Sequence, residues 1–291
     1  MRILKNMILA MAVVAVCTGC KKDEFTKSIF VDPVVDQSSP TYKFDNYLQK
    51  RFVEKYNVEI IYRWKDNTMS ASYNLVPVSM MRADTIAHLC HYLWFDVYDK
   101  CVSPEFLNVY GPRMIQFVGS KGYMSNGTAK LGTAEGGIKI LLYGMNEMDI
   151  TSPADMNQYA FHVMHHEFSH ILHQTKNYPK EYESISMGKY DSDQWQNNKD
   201  SVVHRLGFVT CYASSQPRED FVETISTYIT DFGSWQTWNE ILEDAAKGGP
   251  ETGVTGKDIL LQKLEICRTW LREKYDIDID DLRAEVMRRQ N

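Results

Sequence analysis

The segment from His162 to His173 constrains this chain more than any other, because His166-Glu167-Phe168-Ser169-His170 spells H-E-x-x-H inside a run without Gly or Pro. The run predicts a helix, on which His166 and His170 lie one turn apart and project from one face. Two imidazoles so placed can grip one ion, and Glu167 falls close enough to act as base toward an attacking water. Phe161, Met164, Phe168, Ile171 and Leu172 occupy the opposite side, so the helix is anchored by its back while the histidines face a cleft. Of the five histidines here, His162 and His173 share the ligand side of the wheel and His165 points elsewhere. Neither His162 nor His173 carries an adjacent glutamate, which gives both a structural or rim role.

Two histidines leave a zinc ion under-coordinated, since catalytic sites of this kind use three protein ligands and a water. The metzincin continuation, a Gly three and a His six residues past the second histidine, is absent: those positions are His173 and Lys176. Arg218-Glu219-Asp220-Phe221-Val222-Glu223 instead offers two carboxylates one turn apart, with Phe221, Val222 and Ile225 behind them. This E-x-x-x-E run resembles the later helix of the gluzincin metallopeptidases. The resemblance implies Glu219 as third metal ligand and Glu223 as the acid that orients a ligating histidine.

Gly207-Phe208-Val209-Thr210-Cys211-Tyr212-Ala213, followed by Pro217 to Glu223, is similar to a block in the Bacteroidetes substrate import-associated zinc metallohydrolase lipoproteins. That resemblance covers the chain start, His166 to His170 and the Tyr212 to Glu223 block. It implies a Zn2+ cofactor and a neighbouring TonB-dependent transporter of the SusC/SusD type. Tyr212 stands seven residues before Glu219, as a tyrosine does in third-ligand helices of the lethal factor kind, which implies an oxyanion donor.

The first nineteen residues read as a signal peptide: Arg2 and Lys5, the apolar run Met7 to Val16, then small residues before Cys20. The run is too short to span a bilayer, and the ending resembles a bacterial lipoprotein signal with lipid on Cys20. Lys21-Lys22-Asp23-Glu24 resembles the export signal of Bacteroidetes surface lipoproteins, which implies a lipid-anchored protein on the outer face of the outer membrane. The chain carries 32 basic and 38 acidic side chains, a formal charge of −6; cleavage removes Arg2 and Lys5 and no acid, leaving 30 against 38. Such an acidic body, with no basic cluster before the extreme C-terminus, excludes a nucleic-acid partner. Residues 20–43 are polar and proline-bearing and read as a tether. Cys90, Cys101, Cys211 and Cys267 have no spacing that sets a disulfide pairing, and isolated buried thiols are the expectation.

The folded part then reads as 44–291. Helical spacing marks Phe44 to Tyr56, and alternation marks a strand from Val58 to Trp64. Pro77 to Lys100 reads as a long helix, with His88 and His91 as ordinary helix residues. Met114 to Val118 and Ile138 to Tyr143 read as strands on either side of a loop from Gly119 to Gly137. The second strand is either the edge that pairs with an extended substrate or a plain core strand. Ser152 and Pro153 start the motif helix, which ends near Gln174. Residues 177–204 form a polar connection in which Trp195 and Tyr190 either cover the cleft or pack down their own loop. Helices follow over Trp235 to Lys247, Gly256 to Lys274 and Ile279 to Arg289.

The expectation is an α+β, zincin-like fold: an N-terminal lobe (44–176) with a small sheet and the motif helix, and a helical C-terminal lobe (177–291) that supplies the third ligand. The function expected is zinc-dependent peptide hydrolysis at the cell surface. A lipoprotein that presents peptides or glycans to an importer without using a metal is the alternative. A third reading keeps the zinc and cleaves another amide.

Overall fold

A four-stranded sheet is built from β1 (Glu59–Ile61), β2 (Met114–Phe117), β5 (Gly132–Glu135) and β6 (Lys139–Leu142), in the order β1-β2-β6-β5, the apolar runs of β2 and β6 being flanked by glycines. β1, β2 and β6 are parallel, with Ile60 opposite Ile115 and Ile115 opposite Ile140, while β5 runs antiparallel to β6. A separate ribbon pairs β3 (Gly122–Tyr123) with β4 (Ala129–Lys130). The structure is a computed structural model and describes residues 35–64, 74–123, 129–135, 138–247 and 253–290. The expected signal peptide, Cys20, Lys21 to Glu24 and most of the tether lie outside the described residues. Met1–Tyr42 separates as one unit, of which 35–41 are described as turns around Asp36 and Ser39 and Tyr42 begins a helix (Tyr42–Leu48), and Lys43–Asn291 forms the other.

β6 is one of the two interior strands, buried along its whole length and paired on both sides. The stretch 119–137, read from the sequence as a loop, in fact contributes β5, and β5 rather than β6 is the sheet edge beside the motif helix. Gly132-Thr133-Ala134-Glu135 has no apolar alternation to announce a strand; its pairing comes from the side of β6 that β2 leaves free. A Cβ at Gly132 would lie 2.0 Å from Cγ1 of Val163 on the motif helix. Val163 is β-branched and stiff on a helix, so Gly132→Ala is expected to push β5 off the helix and cost about 1–3 kcal/mol of stability. Chemical denaturation of the two proteins checks this; equal midpoints would place the contact elsewhere.

The motif helix starts where Ser152 Oγ accepts a bond from the Asp155 amide (3.2 Å) and Pro153 takes the first helical position. It runs through Pro153–Met156, a π-helical turn at Asn157–Phe161, and His162–Thr175. Its back is aromatic: Phe168 meets Trp94, Tyr98 and Phe106 with ring centroids 5.1, 5.3 and 6.1 Å away. Those rings belong to the long helical stretch Met80–Cys90, His91–Phe95 and Asp96–Cys101 and to the helix Phe106–Tyr110. His165 points into this core, 3.1 Å from the Tyr98 hydroxyl, and burial pushes its pKa down to about 3. His88 and His91 lie beside Asp84 and Asp96 on their own helical stretch.

A second long helix, Pro217–Thr230, packs against the motif helix. It is held from behind. Asp220 and Lys263 are both fully buried with Oδ2 and Nζ 2.6 Å apart, and Lys263 also donates to the Gly207 carbonyl at 2.6 Å. Lys263 belongs to Gly256–Tyr275, which is followed by Ile279–Gln290. The helix expected from Trp235 begins only at Trp238, because Thr237 and Glu240 close a capping box there. The connection 177–204 holds the short helices Glu181–Ile185, Trp195–Asn197 and Asp200–Arg205. Cys90, Cys101, Cys211 and Cys267 are all free, Cys90 and Cys267 buried. Among the described residues no helix is long and apolar enough to cross a membrane.

Candidate metal centre

The helices His162–Thr175 and Pro217–Thr230 face each other with their polar sides, which brings residues 49 apart in sequence into contact. His166 Nε2 lies 3.2 Å and His170 Nε2 3.0 Å from Glu219 Oε2. All three side chains are buried. Glu223, one turn further along, takes the other nitrogen of His166: Nδ1 donates to its Oε1 at 2.7 Å. His162 Nε2 donates to the same oxygen at 3.0 Å, and Thr210 Oγ1 donates to Oε2 at 2.8 Å. On the other side, His170 Nδ1 lies 2.9 Å from His173 Nε2. His162 and His173 thus touch, respectively, the carboxylate behind one imidazole and the outer nitrogen of the other.

The electrostatics follow from burial and these pairings. Burial works against a charged His166, but the Glu219 and Glu223 carboxylates outweigh it and lift the pKa to about 10. Burial likewise opposes the charge on Glu219, and its contacts with His166 and His170 overcome this and hold it well below the usual carboxylate range. Glu223 is depressed in the same way by His162 and His166. Burial and the neighbouring His170 push His173 down to about 4, so near neutral pH it is an imidazole that can accept a bond from His170. A second triple of donors, His162, His166 and Glu223, is also close enough to share an ion. It would need the His166 nitrogen that Glu223 already occupies.

A cleft of about 380 Å³ opens in front of this cluster, lined by His166 and Glu167 and by Tyr212 and Trp195. Tyr212 is partly exposed at the mouth, its ring 5.8 Å from that of His166. Burial, then the surrounding Glu219, Glu223 and Glu167, raises its pKa, so the phenol keeps its proton. Trp195 packs edge-on to Tyr212 at 5.0 Å and lines the cleft. Tyr190 packs down instead, bonding Asp220 Oδ2 at 2.9 Å. Thr210 has no signal in the sequence beyond its place in the Gly207 to Ala213 block; only the folded chain brings its hydroxyl to Glu223.

The profile of a family described as "Putative zinc-binding metallo-peptidase" matches residues 37–280. A crystal structure from Bacteroides caccae, described in the same words, is 36% identical, covers 91% of this chain and 96% of its own, and superposes with a TM-score of 0.72. Nothing matches among curated proteins. The mixed fold, with its small sheet and mainly helical remainder, is that of the crystal structure, and the chain belongs to this family of zinc-binding metallo-peptidases.

Proposed function

We propose that this chain is a zinc-dependent peptidase with a zincin-like, gluzincin-type site, in which His166, His170 and Glu219 hold Zn2+ and Glu167 is the general base. The convergence of three buried donor atoms carries the reading, with Glu219 Oε2 at 3.2 and 3.0 Å from the two Nε2 atoms. A tetrahedral zinc with bonds of about 2.0–2.1 Å needs donors about 3.3 Å apart, so the residues present fit the ion. The outer nitrogen of each imidazole is engaged, His166 by Glu223 and His170 by His173, which directs both Nε2 atoms to one point.

When bound, zinc polarises a carbonyl and makes a water more acidic. Glu167 takes the proton from the attacking water and returns it to the leaving amine. Tyr212, kept protonated by its surroundings, donates to the carbonyl oxygen as negative charge develops there. Glu223 fixes the orientation of His166, and Trp195 braces Tyr212. The substrate is a peptide or protein. Residues 44–291 are the catalytic domain, tethered by a lipid on Cys20 at the outer face of the outer membrane, beside a SusC/SusD-type transporter.

The test is metal content together with cleavage of a peptide mixture. Purified protein is expected to carry stoichiometric zinc, to lose cleavage on chelation and to regain it when zinc is returned. A chain that takes up no zinc would leave the idle binding lipoprotein as the better reading. Glu223→Gln is expected to weaken zinc binding by about 10–100-fold, read by competition with a chromophoric chelator. Unchanged affinity would remove Glu223 from the site.

A further inference from the structure

Part of the cleft wall is built differently from the metal site. Leu131, Val163 and Phe232 line it, with Gln158 and Ser234 as neutral polar neighbours, and among the described residues no Lys or Arg reaches it. Glu223 also borders it, with its carboxylate engaged by His162 and His166 at Oε1 and by Thr210 at Oε2. At about 380 Å³ the cleft is near the lower end of the usual range for ligand sites, about 300–1,000 Å³.

The wall carrying Phe232 is a turn with an unusual backbone. Asp231, Ser234 and Trp235 all have left-handed φ, at 53°, 49° and 70°. For a bulky residue such as Trp this conformation is an outlier costing about 1–3 kcal/mol, kept only where surroundings enforce it. They do so here. Gly233 and Gln236 exchange backbone bonds of 2.8 and 3.0 Å, and Asp231 Oδ1 accepts from the Trp238 amide at 3.0 Å and from Arg283 at 2.6 Å. Held this way, Phe232 sits with its ring 6.0 Å from that of His162, and His162 in turn lies 6.5 Å from His166. Trp235 meets Phe232 edge-on at 5.6 Å, yet 61% of it remains exposed. An enforced turn thus holds Phe232 in the cleft wall, with the exposed Trp235 packed against it.

We propose that Phe232 is a specificity-determining residue: backed by Trp235, it walls a pocket for an uncharged apolar side chain, aromatic or branched aliphatic, on a peptide residue flanking the scissile bond. This rests on the peptidase reading for the identity of the substrate. The pocket disfavours acidic side chains because no Lys or Arg among the described residues reaches it to pair with them. It disfavours Lys and Arg because their charge would be desolvated against Leu131, Val163 and Phe232.

Binding, not turnover, tests it. Four peptide hydroxamates that differ only in one side chain, Leu, Phe, Lys or Glu, are titrated calorimetrically into the zinc-loaded full-length protein. The Leu and Phe compounds are expected to bind at least about tenfold more tightly than the Lys and Glu compounds. Phe232→Ala should abolish most of that preference, Phe232→Leu should retain it, and Trp235→Ser, at an exposed position behind Phe232, should reduce it by less than Phe232→Ala while leaving the melting temperature unchanged. Equal affinities for the four, binding of none, or a preference that survives Phe232→Ala would overturn the proposal. If the preference holds while the wild-type protein cleaves no peptide, the peptidase reading fails and the wall stands.

Discussion

Glu167→Gln is expected to lower kcat/KM for peptide cleavage by about 10³-fold, within the range of about 10²–10⁴ that a positioned general base contributes, with zinc content unchanged. Glu167 is buried and borders the cleft next to His166. The amide keeps the size and most of the polarity of the carboxylate but cannot take a proton from water. The loss should therefore fall on kcat, with KM nearly unmoved, because an interaction made only in the transition state has been removed. Kinetics of the two proteins on one peptide, alongside metal analysis, separate the roles. Full activity in the variant would end the general-base assignment, and lost zinc would make Glu167 a ligand.

Glu219→Ala is expected to strip the protein of zinc and of activity together. Two imidazoles remain, and catalytic zinc sites of this type need a third protein ligand. The competing triple, His162, His166 and Glu223, makes the opposite prediction: there Glu223 would be the ligand, and its loss the severe one. The pair of variants therefore decides between the two arrangements. With zinc on Glu219, the order of zinc affinity is wild type, then Glu223→Gln, then Glu219→Ala at the bottom. The reverse order of the two variants would move the ion to His162. The Asp220–Lys263 pair should keep the helix in place in either variant, since it anchors the face opposite the site.

Much of the site was legible because it is written in helical periodicity. A four-residue repeat projects His166 and His170 from one side and Glu219 and Glu223 from one side of another helix, whatever those helices later pack against. The apolar residues behind them, Phe168 and Ile171 on one, Phe221 and Val222 on the other, settle which face turns to the core, and all four are buried. The strands were less legible. β5 has no side-chain pattern of its own and exists because β6 offers it a partner. The late start at Trp238 depends on a capping box that overrides the apolar run beginning at Trp235.

What the sequence by itself determined is the chemistry on offer: a base beside two imidazoles, two carboxylates on a second amphipathic run, and the apolar backs that orient both. Those are local, set within one or two helical turns. Tertiary structure alone decided which atoms meet. It gave Glu223 to the outer nitrogen of His166 and brought Thr210 to the other oxygen of Glu223. It also made β5 the edge beside the motif helix, and folded Phe232 to the cleft on a turn enforced by Arg283 from the last helix. Contacts between residues tens of positions apart depend on packing among whole elements, and no periodicity within one element encodes them.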